Sequence, residues 1–158
     1  MPVTSVVKDA DARTLTITAR FDASVERVWR LWSDPRQLER WWGPPGYPAT
    51  VTEHDLVPGG TVAYFMTGPD GEQHHGWWRV RGVDPPRALE FDDGGPDMPT
   101  GAISVALSEL AGGDTQMIVT ASWESAEAMR RIFDTGTDAG MTAAVGQIDE
   151  LLDPKGTT

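Results

Sequence analysis

Four residues in this 158-residue sequence have side chains and settings that invite chemistry: Glu53, His54, His74 and His75. Neighbouring residues on a strand face opposite sides, so neither His54-Asp55 nor the His74-His75 pair converges locally on a metal ion. Glu53 alternates with Val51, Asp55 and Val57, which would turn it inward. A carboxyl held away from water has a raised pKa and can act as a general acid or base. No Ser-His-Asp set has a nucleophile context, and neither a phosphate-cradling GxGxxG nor a zinc-binding HExxH occurs. There are no cysteines, so disulfides, zinc ribbons and thiol nucleophiles are excluded. No metal and no cofactor are expected, and no catalytic residue is assigned.

The other chemically distinctive feature is aromatic. The chain holds 7 Trp against 4 Phe and 2 Tyr. Each indole can bury roughly 150–250 Å², so together they could build most of a small core or line an apolar pocket. Trp78 shares its strand side with His74, Gly76 and Val80, whereas Trp77 shares one with Arg79 and Arg81. The alternation therefore predicts Trp78 and His74 inward and Trp77 on the outer face.

The elements that must position these residues follow from local patterning. Residues 14–21 alternate apolar and polar and read as a first strand. Ser24 caps a helix whose Val25, Val28, Trp29 and Trp32 form one stripe. Asp34-Pro35 ends it and starts a second short helix carrying Leu38, Trp41 and Trp42. Strands are predicted over 49–56, 61–67, 73–83, 88–91, 101–110 and 115–123, with turns at Gly68-Pro69-Asp70-Gly71 and Gly112-Gly113-Asp114. Residues 92–99 read as an acidic Gly/Pro loop. Ser125 caps a long final helix, with a kink or break expected between Thr135 and Gly140 because glycine lowers helix propensity. Gly136, Gly140 and Ala144 would give that helix a small-residue face. Residues from Asp153 read as a frayed tail.

Short turns between consecutive strands imply an antiparallel meander. The predicted class is α+β: a curved sheet of about seven strands around a C-terminal helix, in one domain with its core at residues 14–152. The formal net charge is −11, and the acidic excess lies beyond residue 48. Nucleic acid is thus excluded as a partner, since a phosphate backbone binder needs a basic footprint. The N-terminal residues have no apolar signal region and no run is long enough for a membrane span, so a cytoplasmic location is the default and membrane insertion is not expected.

The segment FDASVERVWRLWSDPRQLERWWGP resembles the opening motif of the activator of heat-shock protein 90 ATPase homologue-like family, within the START-like, helix-grip superfamily. The resemblance continues through Pro58-Gly59-Gly60, GPDGEQHHGWWRVRGVDPPRALEF and SAEAMRRIFDTGTDAGMTAAVGQIDELL, and covers about residues 14–152. It implies a helix-grip fold with a cavity between the sheet and the last helix. The function it implies is binding of a lipid-, sterol- or polyketide-like molecule as carrier or sensor. A protein-interaction or co-chaperone-like module and a cyclase- or lyase-type enzyme are the alternatives. The expected partner is a small apolar molecule, with a homodimer through the outer sheet face as a further possibility. Candidate ligand-binding residues are Trp42, Tyr64, Trp78, Phe91, Trp123, Phe133 and Met141 as walls, Gly136 and Gly140 as the small helix face, and Glu53 and His74 as polar groups.

Overall fold

Eight antiparallel strands, each hydrogen-bonded to its neighbours, form one sheet in the computed structural model, which describes residues 3–96 and 99–152. The strands are β1 (Val3–Asp9), β2 (Thr14–Phe21), β3 (Ala49–His54), β4 (Thr61–Thr67), β5 (Gln73–Asp84), β6 (Ala88–Gly94), β7 (Gly101–Glu109) and β8 (Thr115–Ser122). Their spatial order is β1-β2-β8-β7-β6-β5-β4-β3. β1 is the strand that sequence patterning missed. All but one of its residues are exposed, so it carries no alternation between apolar and polar. The expected tail from Asp153, and Asp97 and Met98 of the expected acidic loop, lie outside the described residues.

The path from β2 to β3 decides how the interior is built. β3 is the far edge of the sheet, so the chain must cross the whole face between them. It does so through α1 (Val25–Ser33) and α2 (Pro35–Leu38). Ser24 Oγ accepts the Arg27 N–H, and Asp34 Oδ1 accepts the Arg36 N–H, so each helix starts on a side-chain cap. The crossing delivers Trp32, Trp41 and Trp42 onto the sheet, where all three are buried.

α2 also closes the sheet edge. Val51 N–H donates to Glu39 Oε2 at 2.7 Å, and Arg36 Nη2 donates to the Val51 carbonyl at 3.0 Å. Arg36 and Glu39 are themselves paired at 3.3 Å. The pair thus occupies a backbone position that an edge strand would otherwise offer to another chain.

The C-terminal helix is not continuous. It divides into α3 (Ala126–Asp134), α4 (Thr137–Gly146) and α5 (Ile148–Leu151). The first break falls at Gly136, whose φ of +81° is left-handed and whose N–H returns to the Phe133 carbonyl at 3.0 Å. Gly136 is exposed, so it serves as a hinge residue in the backbone rather than as part of an inward small-residue face. Gly140 lies against the ring of Pro44, which a Cβ there would meet at 3.6 Å. Gln147 Nε2 donates to the Gly43 carbonyl at 2.8 Å and to the Trp41 carbonyl at 3.2 Å. Gln147, between α4 and α5, thus ties the final helices to the segment that follows α2, and α4 lies against β1 and β2. The sheet is covered jointly by α1, α2 and α4, not by the last helix alone.

Two substitutions test this packing. Trp78, fully buried, should cost ~3–5 kcal/mol on truncation to Ala, read by chemical denaturation; a loss under ~1 kcal/mol would mean the strand faces are reversed. Gly136→Ala should destabilise by about 1 kcal/mol because it forces a Cβ into the left-handed region. An unchanged or raised midpoint would contradict the hinge.

Candidate functional site

The inner face of the sheet is paved with rings. Trp78 stacks on Phe91, with centroids 4.0 Å apart and planes 18° from parallel. Trp42 meets Trp78 edge-to-face at 4.9 Å, and Trp32 meets Trp41 in the same way at 4.7 Å. Tyr64 stands edge-on to Trp42 at 6.0 Å. Such geometries set the positive ring edge of one residue against the negative face of the next.

Polar atoms inside such a wall need partners. Trp32 Nε1 donates to Met117 Sδ at 3.4 Å, and Trp41 Nε1 donates to the Leu31 carbonyl at 2.9 Å. Trp42 Nε1 and Trp78 Nε1 are buried with no hydrogen-bond partner. Both act on the Tyr64 hydroxyl, drawing its pKa down against the larger upward push of burial and of the Asp93 charge. Both N–H groups are directed at that hydroxyl oxygen, outside strict hydrogen-bond geometry.

Tyr64 instead donates to Asp93 Oδ1 at 3.2 Å. Two glycines make that reach possible. Tyr64 pairs with Gly76 across β4 and β5, and its phenol lies where a Gly76 side chain would stand. Asp93 pairs with Trp78 on one side and with Gly101 on the other. The Trp123 indole occupies the space above Gly101, its Nε1 2.8 Å from where a Cβ would be. Asp93 therefore sits between an indole and a backbone with no side chain. Burial pushes its carboxyl up to about 7, with the Tyr64 hydrogen bond a smaller opposing effect.

Asp93 was not among the residues singled out by patterning, which ended β6 at Phe91. The signal was present. With Phe91 inward, alternation sends Asp92 outward and Asp93 inward, provided that the strand continues. It does, to Gly94.

The other candidates separate into groups. Trp42, Tyr64, Trp78 and Phe91 belong to the wall just described. Trp123 and Phe133 form a second contact, edge-to-face at 5.7 Å, with Lys8 Nζ 5.0 Å from the Phe133 centroid. Met141 is half-buried and packs on the core. Gly136 and Gly140 have the backbone and packing roles already given.

Glu53 and His74 do not serve as interior polar groups. The β3–β4 register slips between Val51 and Glu53. This bulge inserts one residue and reverses the alternation, so Glu53 pairs with Ala63 and is exposed. His54 takes the inward position opposite Val62, with Nε2 3.1 Å from the Trp32 carbonyl. His74 is on the side expected but beyond the end of the core. It is exposed, 3.4 Å from Glu72 Oε2 and 5.9 Å from the Tyr47 ring. Among the described residues no three His, Cys, Asp or Glu side chains gather as a metal site.

A groove of about 560 Å³ opens where the β6–β7 connection meets the start of α3, lined by Pro99, Thr100, Gly101, Trp123, Glu124 and Ala128 among others. Gly101, which lies in it, is the strand partner of Asp93.

The sequence and the fold both match known proteins. The family model described as Activator of Hsp90 ATPase homolog 1-like protein matches residues 22–153. The chain belongs to this family. A crystal structure of protein Ms6760 from Mycobacterium smegmatis is 45% identical, with a TM-score of 0.89 over 97% of this chain and 98% of that one. A solution structure of an Arthrobacter aurescens protein is 44% identical, with a TM-score of 0.91 over 95% and 91%. CalU16 from Micromonospora echinospora, 21% identical with a TM-score of 0.66 over 97% of this chain and 86% of that one, shares the fold alone. No curated protein matches the sequence. As a member of the Activator of Hsp90 ATPase homolog 1-like family, the chain has the helix-grip architecture, and no helix among its described residues is long and apolar enough to cross a membrane.

The raised Asp93 pKa has a stability consequence. Below about pH 4 the carboxyl is protonated in both folded and unfolded chains. Between there and about 7 the unfolded chain releases its proton first, so the contribution of Asp93 to stability falls as pH rises. Asp93→Asn should therefore gain in melting temperature relative to wild type as pH goes from 4 to 8. A difference independent of pH would show that Asp93 titrates as an ordinary surface carboxylate.

Proposed function

We propose that this family member binds a small, mostly apolar molecule in the groove at the β6–β7 end of its sheet, as a carrier or sensor. The observation that carries the reading is the groove of about 560 Å³ beside Trp123, whose volume falls in the roughly 300–1,000 Å³ range of small-molecule sites. Its own lining sets the Trp123 indole among the polar side chains of Asp92, Thr100, Ser122 and Glu124, and its Gly101 is the strand partner of Asp93. The fold class supports the reading without selecting the ligand, because one architecture hosts many functions.

A second reading is favoured by one observation. An inward carboxyl with a pKa of about 7 is suited to proton transfer at neutral pH. On that reading Asp93 is the general acid or base of a cyclase- or lyase-type reaction, hydrogen-bonded to the Tyr64 hydroxyl.

Native mass spectrometry of freshly purified protein separates these outcomes. The carrier reading expects a retained apolar adduct, released unchanged by organic extraction, and a thermal upshift with compounds of the same class. An enzyme would return a chemically altered compound, and the alteration would be lost in Asp93→Asn. Protein with no adduct and no thermal shift across lipids, sterols and polyketides would contradict both.

A further inference from the structure

The groove beside Trp123 asks for more than an apolar ligand. Pro99, Ala102 and Ala128 give it apolar surface, and Asp92, Ser122 and Glu124 give it polar groups. Asp92, Ala102 and Ser122 stand side by side, because they are successive partners across β6, β7 and β8. Trp123 is 8% exposed, and its Nε1 lies over Gly101, itself a groove residue, 2.8 Å from where a Cβ would be. The indole is held in place. Phe133 meets it edge-to-face. Arg13 takes both backbone groups of Trp123: its Nε donates to the carbonyl and its own carbonyl accepts the N–H, each at 3.1 Å. Yet among the described residues nothing accepts from Trp123 Nε1, and unlike the Trp42 and Trp78 nitrogens it is not sealed from solvent. The Asp93 carboxyl, across from Gly101, takes its hydrogen bond from Tyr64 instead.

The groups present define their complement. A fixed N–H calls for an acceptor, and a carboxylate calls for a donor. Asp92 already has a donor in Arg81, whose Nε is 3.4 Å from its Oδ1. Glu124 is exposed and has no ion-pair partner among the described residues. Among those residues no Lys, Arg or His lines the groove, so an anionic headgroup would meet two carboxylates with no counter-charge. An ammonium would suit Glu124 and leave the indole N–H unmet. A ketone or an ether would do the reverse. One hydroxyl answers both. We infer that the groove takes the hydroxyl of an uncharged, otherwise apolar alcohol, whose oxygen accepts from Trp123 Nε1 and whose proton is donated to the Glu124 carboxylate. This inference rests on the groove reading above and adds the functional group that the ligand carries.

The test uses five probes on one naphthalene body. They are 2-naphthylmethanol; 2-(methoxymethyl)naphthalene, which keeps the oxygen and loses the donor; 2-ethylnaphthalene, which loses both; 2-naphthylmethylammonium; and 2-naphthoate. Each is titrated into the full-length protein labelled with 15N. The Trp123 indole signal and the Gly101, Ala102 and Ser122 amide signals are followed by NMR. The alcohol should bind about tenfold more tightly than 2-ethylnaphthalene, one good hydrogen bond's worth, and should move the Trp123 indole proton downfield. The ether should bind more weakly than the alcohol. Glu124→Ala, at an exposed position, should bring the alcohol down to the ether and leave 2-ethylnaphthalene unchanged.

Alcohol and 2-ethylnaphthalene binding equally at the groove would overturn the hydroxyl site and leave the groove reading intact, with water serving the indole N–H. An alcohol no tighter than the ether, or one indifferent to Glu124→Ala, would overturn the donated bond to Glu124 and with it the inference. Preference for the ammonium or for 2-naphthoate would overturn it in favour of a charged ligand. If no probe moves the groove amides, the inference fails together with the groove reading. The wild-type titrations stand without the variant, so its behaviour does not remove the test.

Discussion

Much of this molecule depends on how Trp78 is enclosed. Its indole is stacked on Phe91 from the same sheet and met edge-on by Trp42 from the crossing segment. One side chain thus joins the sheet to the helical layer. The chain must cross the face from β2 to β3 at the opposite edge, and bulky rings on that crossing are what hold it down. Burial of aromatic surface on this scale is the main source of cohesion. The same density leaves polar atoms with few partners, which is why the Trp42 and Trp78 N–H groups stand out against the satisfied Trp32 and Trp41.

Asp93 shows how a site can form within a packed wall. A carboxyl on this face would be expelled by bulkier neighbours. Gly76 lets the Tyr64 phenol lie across β5, and Gly101 gives space to the Trp123 indole. These two glycines matter for what their missing side chains admit. The resulting environment is apolar on most sides with one hydrogen-bond donor, a combination that raises a carboxylic acid toward neutrality.

Most of the architecture was readable from periodicity and turn chemistry. The caps at Ser24, Asp34 and Ser125 and the break near Gly136 all follow from local residue preferences, and the structure has them. What escaped was non-local. β1 pairs only with β2 and shows no buried stripe, so the β-branched Val3, Thr4, Val6 and Val7 are its one local signal, without the alternation that marks a strand. The β3 bulge moves Glu53 outward and His54 inward, and strict alternation cannot register an extra residue. His74 has the right parity, but the end of the core is a tertiary fact. Asp93 was hidden by acidic and glycine residues that suggest a loop, although β7 pairing extends the strand through them.

The central claim is that a carboxyl on the inner sheet face is held near neutrality among aromatic rings beside the Tyr64 hydroxyl. Carbon-13 NMR of the Asp93 side-chain carboxyl, assigned by its loss in Asp93→Asn and followed from pH 3 to pH 9, measures this directly. The account predicts a titration midpoint near 7, moving upward in Tyr64→Phe as the hydrogen bond that favours the charged form is lost. A midpoint close to the ordinary aspartate value of about 4, unaffected by Tyr64→Phe, would place Asp93 in solvent and contradict the site.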